Sequence, residues 1–164
     1  MQVKFMGNPV TLGGNEVKVG DNAPVVTVAG KDLDDVVIGK SDKTQIVVAV
    51  PSLDTPVCAS EARKFNVNAA KVANAEVIVV SMDLPFAMGR FCTTEGIENL
   101  RTASDFRSKE FAQKYGVLIT DSALAGLNAR AVFIIKNGVI TYKEICAEIT
   151  EEPNYDAVLE AAKA

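Results

Sequence analysis

The chain has no histidine, no tryptophan and only three cysteines among its 164 residues. Without histidine, Ser-His-Asp and Cys-His mechanisms, HExxH zinc sites and imidazole proton shuttles are excluded. No uninterrupted apolar run approaches the ~20 residues that cross a bilayer, so no membrane association is expected. Basic side chains are in deficit: Lys plus Arg is 17, Asp plus Glu is 21, and the formal net charge is −4. An acidic chain without basic blocks is poorly suited to nucleic acid or an anionic membrane. The opening residues, Met1-Gln2-Val3-Lys4-Phe5-Met6, lack the apolar core of a signal peptide, and the expected location is the cytoplasm. Three scattered cysteines, an odd number, do not make a secreted disulfide scaffold. With no CxxC pair and no histidine, a metal site is the weakest option, and no metal, haem, flavin or nucleotide cofactor is expected. Cys58, Cys92 and Cys146 are therefore core residues or redox groups.

What is present describes a folded chain. Apolar residues make up 48% and charged residues 23%, which is too apolar for disorder. The length, with no linker, repeat or low-complexity tract, predicts a single domain over residues 1–164. Gly7-Asn8-Pro9 between Gln2–Met6 and Val10–Leu12 predicts a short N-terminal hairpin at a sheet edge. Gly20-Asp21 and Ala23-Pro24 mark a turn before a strand over Val25–Ala29. The β-branched runs Gln45–Val50 and Glu76–Met82 read as strands buried on both faces. Between them Cys58, Ala62, Phe65, Ala69 and Val72 recur at helical spacing, giving a βαβ unit with parallel strands. Asp83 and Pro85 open a shorter helix running to about Cys92, interrupted by Thr93, Thr94 and Gly96. Ser108–Tyr115 reads as a further helix stopped by Gly116. Asn137-Gly138 joins Ala131–Lys136 to Val139–Ile145 in a hairpin, and Pro153 opens a terminal helix to about Ala162. The result is an α/β chain with a mixed central sheet flanked by helices, in a thioredoxin-like order.

Cys58 carries the chemical interest. Thr55 suits an N-cap and Pro56 the first helical position, which puts the thiol in the first turn of its helix. Unpaired N–H groups there carry roughly half a positive charge and favour a thiolate. The turn also follows the carboxyl end of a parallel strand, where open α/β sheets bind ligands. Yet Cys58 also heads an apolar stripe, and free cysteine is among the most buried residue types. Physical reasoning on these residues leaves both readings open.

The stretch Pro51-Ser52-Leu53-Asp54-Thr55-Pro56-Val57-Cys58 resembles the peroxiredoxin pattern of proline, three residues, threonine, two residues, cysteine. With Gly89-Arg90-Phe91-Cys92, Gly20-Asp21-Asn22-Ala23-Pro24 and Leu127–Phe133, it is similar to the bacterial thiol peroxidases, an atypical two-cysteine branch. The likeness extends over essentially the whole chain, and no catalytic position departs from it. The resemblance implies a thioredoxin fold and makes Cys58 the peroxidatic nucleophile, Thr55 and Arg130 its polar partners, and Cys92 the resolving thiol. Pro51 would shape the pocket mouth and shield the sulfur. The implied reaction is reduction of hydroperoxides, alkyl or lipid hydroperoxides and hydrogen peroxide among them. It would pass through a Cys58 sulfenic acid and an intramolecular Cys58–Cys92 disulfide that thioredoxin reduces, in a homodimer. On residue type alone, Thr55 is a helix cap, Arg130 a solvated strand-end residue and Cys92 a packing residue; Cys146 matches no motif. The rival readings are a redox sensor or relay using the same disulfide, and a binding module with inert thiols.

Overall fold

The computed structural model describes residues 1–164. Its centre is a seven-stranded sheet of β3 (Val26–Gly30), β4 (Asp35–Ile38), β5 (Thr44–Ala49), β6 (Ala75–Ser81), β7 (Arg101–Ser104), β9 (Ala131–Lys136) and β10 (Val139–Ile145), ordered β10-β9-β5-β6-β7-β3-β4. The helices α1 (Pro56–Ala69) and α2 (Pro85–Glu95) connect β5 to β6 and β6 to β7, and both strand pairs are parallel. The remaining pairs are antiparallel. Strand β5 shows why its sequence is continuously apolar. Ile46 and Val48 enter one core while Val47 and Ala49 enter the other, so the apolar run is covered by protein on both faces.

The two cores lie back to back across the sheet. One joins α1, α2 and α4 (Tyr155–Lys163) and contains Cys58, Phe65, Met88, Cys92 and Val158. The other packs α3 (Glu110–Lys114) and a small three-stranded sheet of β1 (Gln2–Phe5), β2 (Asn8–Gly13) and β8 (Leu118–Ile119). Its centre is an aromatic cluster in which Tyr115 lies 4.7 Å from Phe111 and 5.2 Å from Phe133 between ring centroids. The Tyr115 hydroxyl donates to the Pro24 carbonyl at 2.7 Å, which satisfies the polar end of a buried ring. This is the thioredoxin-like arrangement expected from the element order.

Several boundaries differ from expectation for local reasons. The N-terminal hairpin turns at Met6-Gly7, both at positive φ, so Asn8 and Pro9 already pair in β2. It belongs to the small sheet, not to the edge of the central one. Helix α1 stops at Ala69, and Val72 is buried beyond its end. Thr93 and Thr94 do not interrupt α2, because Thr93 Oγ1 donates to the Gly89 carbonyl and the helix continues to Glu95; Gly96, at φ 65°, ends it. Helix α3 starts only at Glu110, after Lys109 takes a left-handed conformation. The terminal helix begins at Tyr155 instead of Pro153, with Asn154 accepting from the Ala157 N–H at 3.0 Å. Asn137 and Gly138 both take positive φ, the requirement of a two-residue hairpin.

Candidate active site

Thr55 ends the β5–α1 loop in an extended conformation (φ −121°, ψ 151°), and its Oγ1 accepts from the Cys58 N–H at 3.4 Å. The same hydroxyl donates to the Ser52 carbonyl at 3.1 Å. One side chain thus ties the loop to the first helical turn and orients the Cys58 backbone. Cys58 is completely buried and faces the core, at the positive end of a 14-residue helix. Pro51, just past β5, is buried as well.

Arg130 is only 2% exposed, against the solvated position expected of a charged strand-end residue. Three groups hold it there. Its Nε donates to the Ile149 carbonyl at 2.7 Å, and its Nη1 donates to Glu61 Oε2 at 2.5 Å. The Cys58 sulfur is near enough to favour the guanidinium's charge. Burial opposes its charge, but attraction to Glu61 and Cys58 leaves its pKa above the ordinary arginine value. Buried cations need such partners, because an uncompensated charge costs several kcal/mol, on the order of 3–5 when a partner is removed.

Glu61 was not singled out from the sequence. It lies one turn after Cys58 on the same helix face and is fully buried. Burial, reinforced by Glu152 and Glu144 and opposed by Arg130, pushes its carboxyl up to about 7. Its Oε1 has no hydrogen-bond partner. The signal available in sequence was a lone carboxylate inside the apolar stripe between Cys58 and Ala62.

Asp83 was expected to open the second helix, but it fastens the cysteine loop. Its carboxylate accepts from the Leu53 N–H and the Ser52 hydroxyl at 2.8 Å each, and from the Ser81 hydroxyl at 2.6 Å. The loops preceding α1 and α2 are thereby joined. Beside this junction is a cavity of about 330 Å³ lined by Leu53, Asp54, Asp83, Arg90 and Phe91, among others. A more open hollow lies near the start of α1, against Pro56, Val57, Ser60 and Glu152.

Thr55, Cys58 and Arg130 are therefore brought together, and Pro51 lies in the loop that leads to them. Cys92 sits apart on α2, 5% exposed in the same core as Cys58, with its Sγ 3.9 Å from Thr102 Oγ1. All three cysteines are free thiols. Cys146 is buried, and its N–H donates to the Arg130 carbonyl at 2.9 Å. Burial, with Glu144 and Glu61 and against Arg130, pushes the Cys146 thiol up to about 12, so it stays protonated at neutral pH. No three His, Cys, Asp or Glu side chains are grouped as metal ligands, and no helix is long and apolar enough to cross a membrane.

The redoxin family profile matches residues 18–159. The thiol peroxidase of Campylobacter jejuni is 64% identical over 152 residues, spanning 93% of this chain and 87% of that protein. The chain belongs to the thiol peroxidases of the redoxin family. A crystal structure of a peroxiredoxin-like protein from Aquifex aeolicus superposes with a TM-score of 0.95 at 52% identity, covering 99% of this chain and 95% of the other. Thiol peroxidase from Chromobacterium violaceum shares the fold at a TM-score of 0.89 and 22% identity, over 98% and 94% of the two chains. A thiol peroxidase needs an ionisable sulfur held beside a source of positive potential. Cys58 has both a helix N-terminus and Arg130.

Proposed function

We propose that this thiol-dependent peroxidase reduces hydroperoxides through Cys58. The thiolate sulfur attacks the terminal peroxide oxygen, the O–O bond breaks, and the other oxygen leaves as alkoxide or hydroxide and gains a proton. Charge spreads along the S–O–O axis, where Arg130 supplies a fixed positive charge already desolvated and oriented. The Thr55 hydroxyl, held by the loop, aligns the attacked oxygen, and Pro51 keeps water from the sulfur. The resulting sulfenic acid condenses with the Cys92 thiol, releasing water and forming a disulfide within one chain. Thioredoxin supplies the two electrons that reopen it. We assign the activity to one domain, residues 1–164, in a cytoplasmic homodimer acting on alkyl or lipid hydroperoxides and on hydrogen peroxide.

The observation that carries this reading is the buried guanidinium of Arg130, fixed by Glu61 and the Ile149 carbonyl and stabilised by the sulfur at a capped helix N-terminus. Intact mass spectrometry after one equivalent of an organic hydroperoxide, with peptide mapping, tests it. The expected product has lost two hydrogens and maps to a Cys58–Cys92 bridge. Cys58→Ser abolishes peroxide reduction, whereas Cys92→Ser permits the first oxidation but not thioredoxin-supported turnover. A bridge that excludes Cys58 overturns the assignment.

A further inference from the structure

Two acidic groups and one cation share the dry interior behind the first turn of α1. Arg130 contributes the single positive charge; Glu61, and Cys58 as thiolate, would each contribute a negative one. The groups facing Glu61 from neighbouring elements are Arg130, Glu144, Cys146, Glu152 and Tyr155. Only Arg130 among them is cationic. Lys64, on the same helix, reaches outward to Glu152, with half its side chain exposed. Like charges confined to one buried site cannot both ionise freely, so the site favours one anion against Arg130 and one remaining proton. Glu61 has the geometry to hold that proton. Its Oε2 still accepts the hydrogen bond from Arg130 when the buried, unpartnered Oε1 carries the proton. A carboxyl whose pKa burial has raised to about 7 exchanges its proton near neutrality.

We propose that Glu61 is the proton store of the peroxidase reaction, holding the proton while Cys58 is a thiolate and giving it up as the leaving oxygen departs. The inference rests on the reading of Cys58 as the attacking thiol. The sulfur donates an electron pair to the terminal oxygen, the O–O bond breaks, and the departing alkoxide gains the proton that Glu61 releases. The products are a Cys58 sulfenic acid, an alcohol and a Glu61 carboxylate, now the only anion against Arg130. Sulfur is oxidised, the peroxide is reduced, and no further reactant is needed. Glu61 is joined to the sulfur's surroundings through its hydrogen bond from Arg130.

Infrared difference spectroscopy of the unaltered protein, mixed at about pH 6 with one equivalent of tert-butyl hydroperoxide, reads the proton directly. Intact mass on the same sample reads the sulfur. The expected result is loss of one protonated-carboxyl C=O band and gain of carboxylate bands for each Cys58 oxidised, both absent in Glu61→Gln. Oxidised Cys58 with no carboxyl change overturns the proton store and leaves the reading of Cys58 intact; Cys58 unoxidised overturns both. A second measurement uses Cys92→Ser/Cys146→Ser protein, in which Cys58 is the only thiol. There Glu61→Gln moves the pH midpoint of iodoacetamide alkylation downward, because the thiolate no longer competes with a carboxylate. It also slows oxidation roughly tenfold or more at a pH where the sulfur is ionised in both proteins, as expected for loss of an internal acid. A midpoint that stays or rises marks Glu61 as a prop for Arg130 and overturns the proposal.

Discussion

In the proposed reaction Arg130 and Thr55 serve Cys58 by different physics, one as a fixed charge and the other as a helix cap. Arg130→Lys keeps the charge but replaces a planar fork, which now spans Glu61 and the Ile149 carbonyl, with a single point donor. We expect peroxide reduction by this variant to fall on the order of 10²-fold, the usual cost of losing an oriented charge-stabilising donor, measured by stopped-flow oxidation of Cys58. Glu61 sets a pH dependence of stability. Its folded pKa of about 7 lies above the ordinary carboxyl value of 4.5, so between these values the folded state holds more protons than the unfolded one. Its favourable contribution is present at low pH and is lost as pH rises through about 7. From pH 5 to 8 the unfolding free energy of the unaltered protein should drop by on the order of 2 kcal/mol relative to Glu61→Gln, readable in urea titrations at the two pH values. Thr55, Pro56 and Cys58 were legible because capping chemistry is local in sequence. The Glu61–Arg130 pair was not, because its partners lie 69 residues apart and only the fold brings them together.

At the scale of elements, the two proposed redox thiols occupy closed helices packed in one buried core, and the polar ties between the far parts of those helices are exposed. Arg63 on α1 pairs with Glu95 on α2 at 2.9 Å, at the surface, where such a pair contributes about 0–1 kcal/mol. Asn66 accepts from the N–H groups of Glu98 and Asn99 just beyond α2. A disulfide brings its two Cα atoms to about 4.4–6.8 Å, so we expect the first turn of α1 and the last turns of α2 to loosen as the proposed bridge closes. Hydrogen exchange on peroxide-treated protein should show faster amide exchange around Cys58 and Cys92 and unchanged exchange in β5 and β9. Non-reducing electrophoresis should show no covalent dimer. Long apolar elements were legible from periodicity, and so was the β9–β10 hairpin from Asn137-Gly138. Strand β7, with Arg101, Thr102, Ala103 and Ser104, carries no strand pattern of its own and exists through its parallel pairing with β6. Strands β4 and β8 are two to four residues long and likewise depend on their partners.

For the molecule as a whole, the seven-stranded sheet separates a core that holds Cys58 and Cys92 from a core that holds no cysteine. The quiet side depends on close backbone contacts. Gly14 has φ +91°, and a Cβ there would meet the Gln113 carbonyl oxygen at 2.2 Å. Gly14→Ala should therefore lower stability by about 2 kcal/mol or more in thermal unfolding, while single-turnover oxidation of Cys58 below the melting range is unaffected. This division was only partly legible: the burial of β5 on two faces followed from its sequence, but the small sheet closing the second core did not, since Leu118–Ile119 is too short to register. The back-to-back cores have a mechanical consequence. A catalyst that must rearrange its helices in every cycle risks melting, yet this chain keeps a rigid keel of stacked aromatics and interlocked backbone on the far side of the sheet. In the proposed cycle the working face would open and re-form against this far side, which holds its shape.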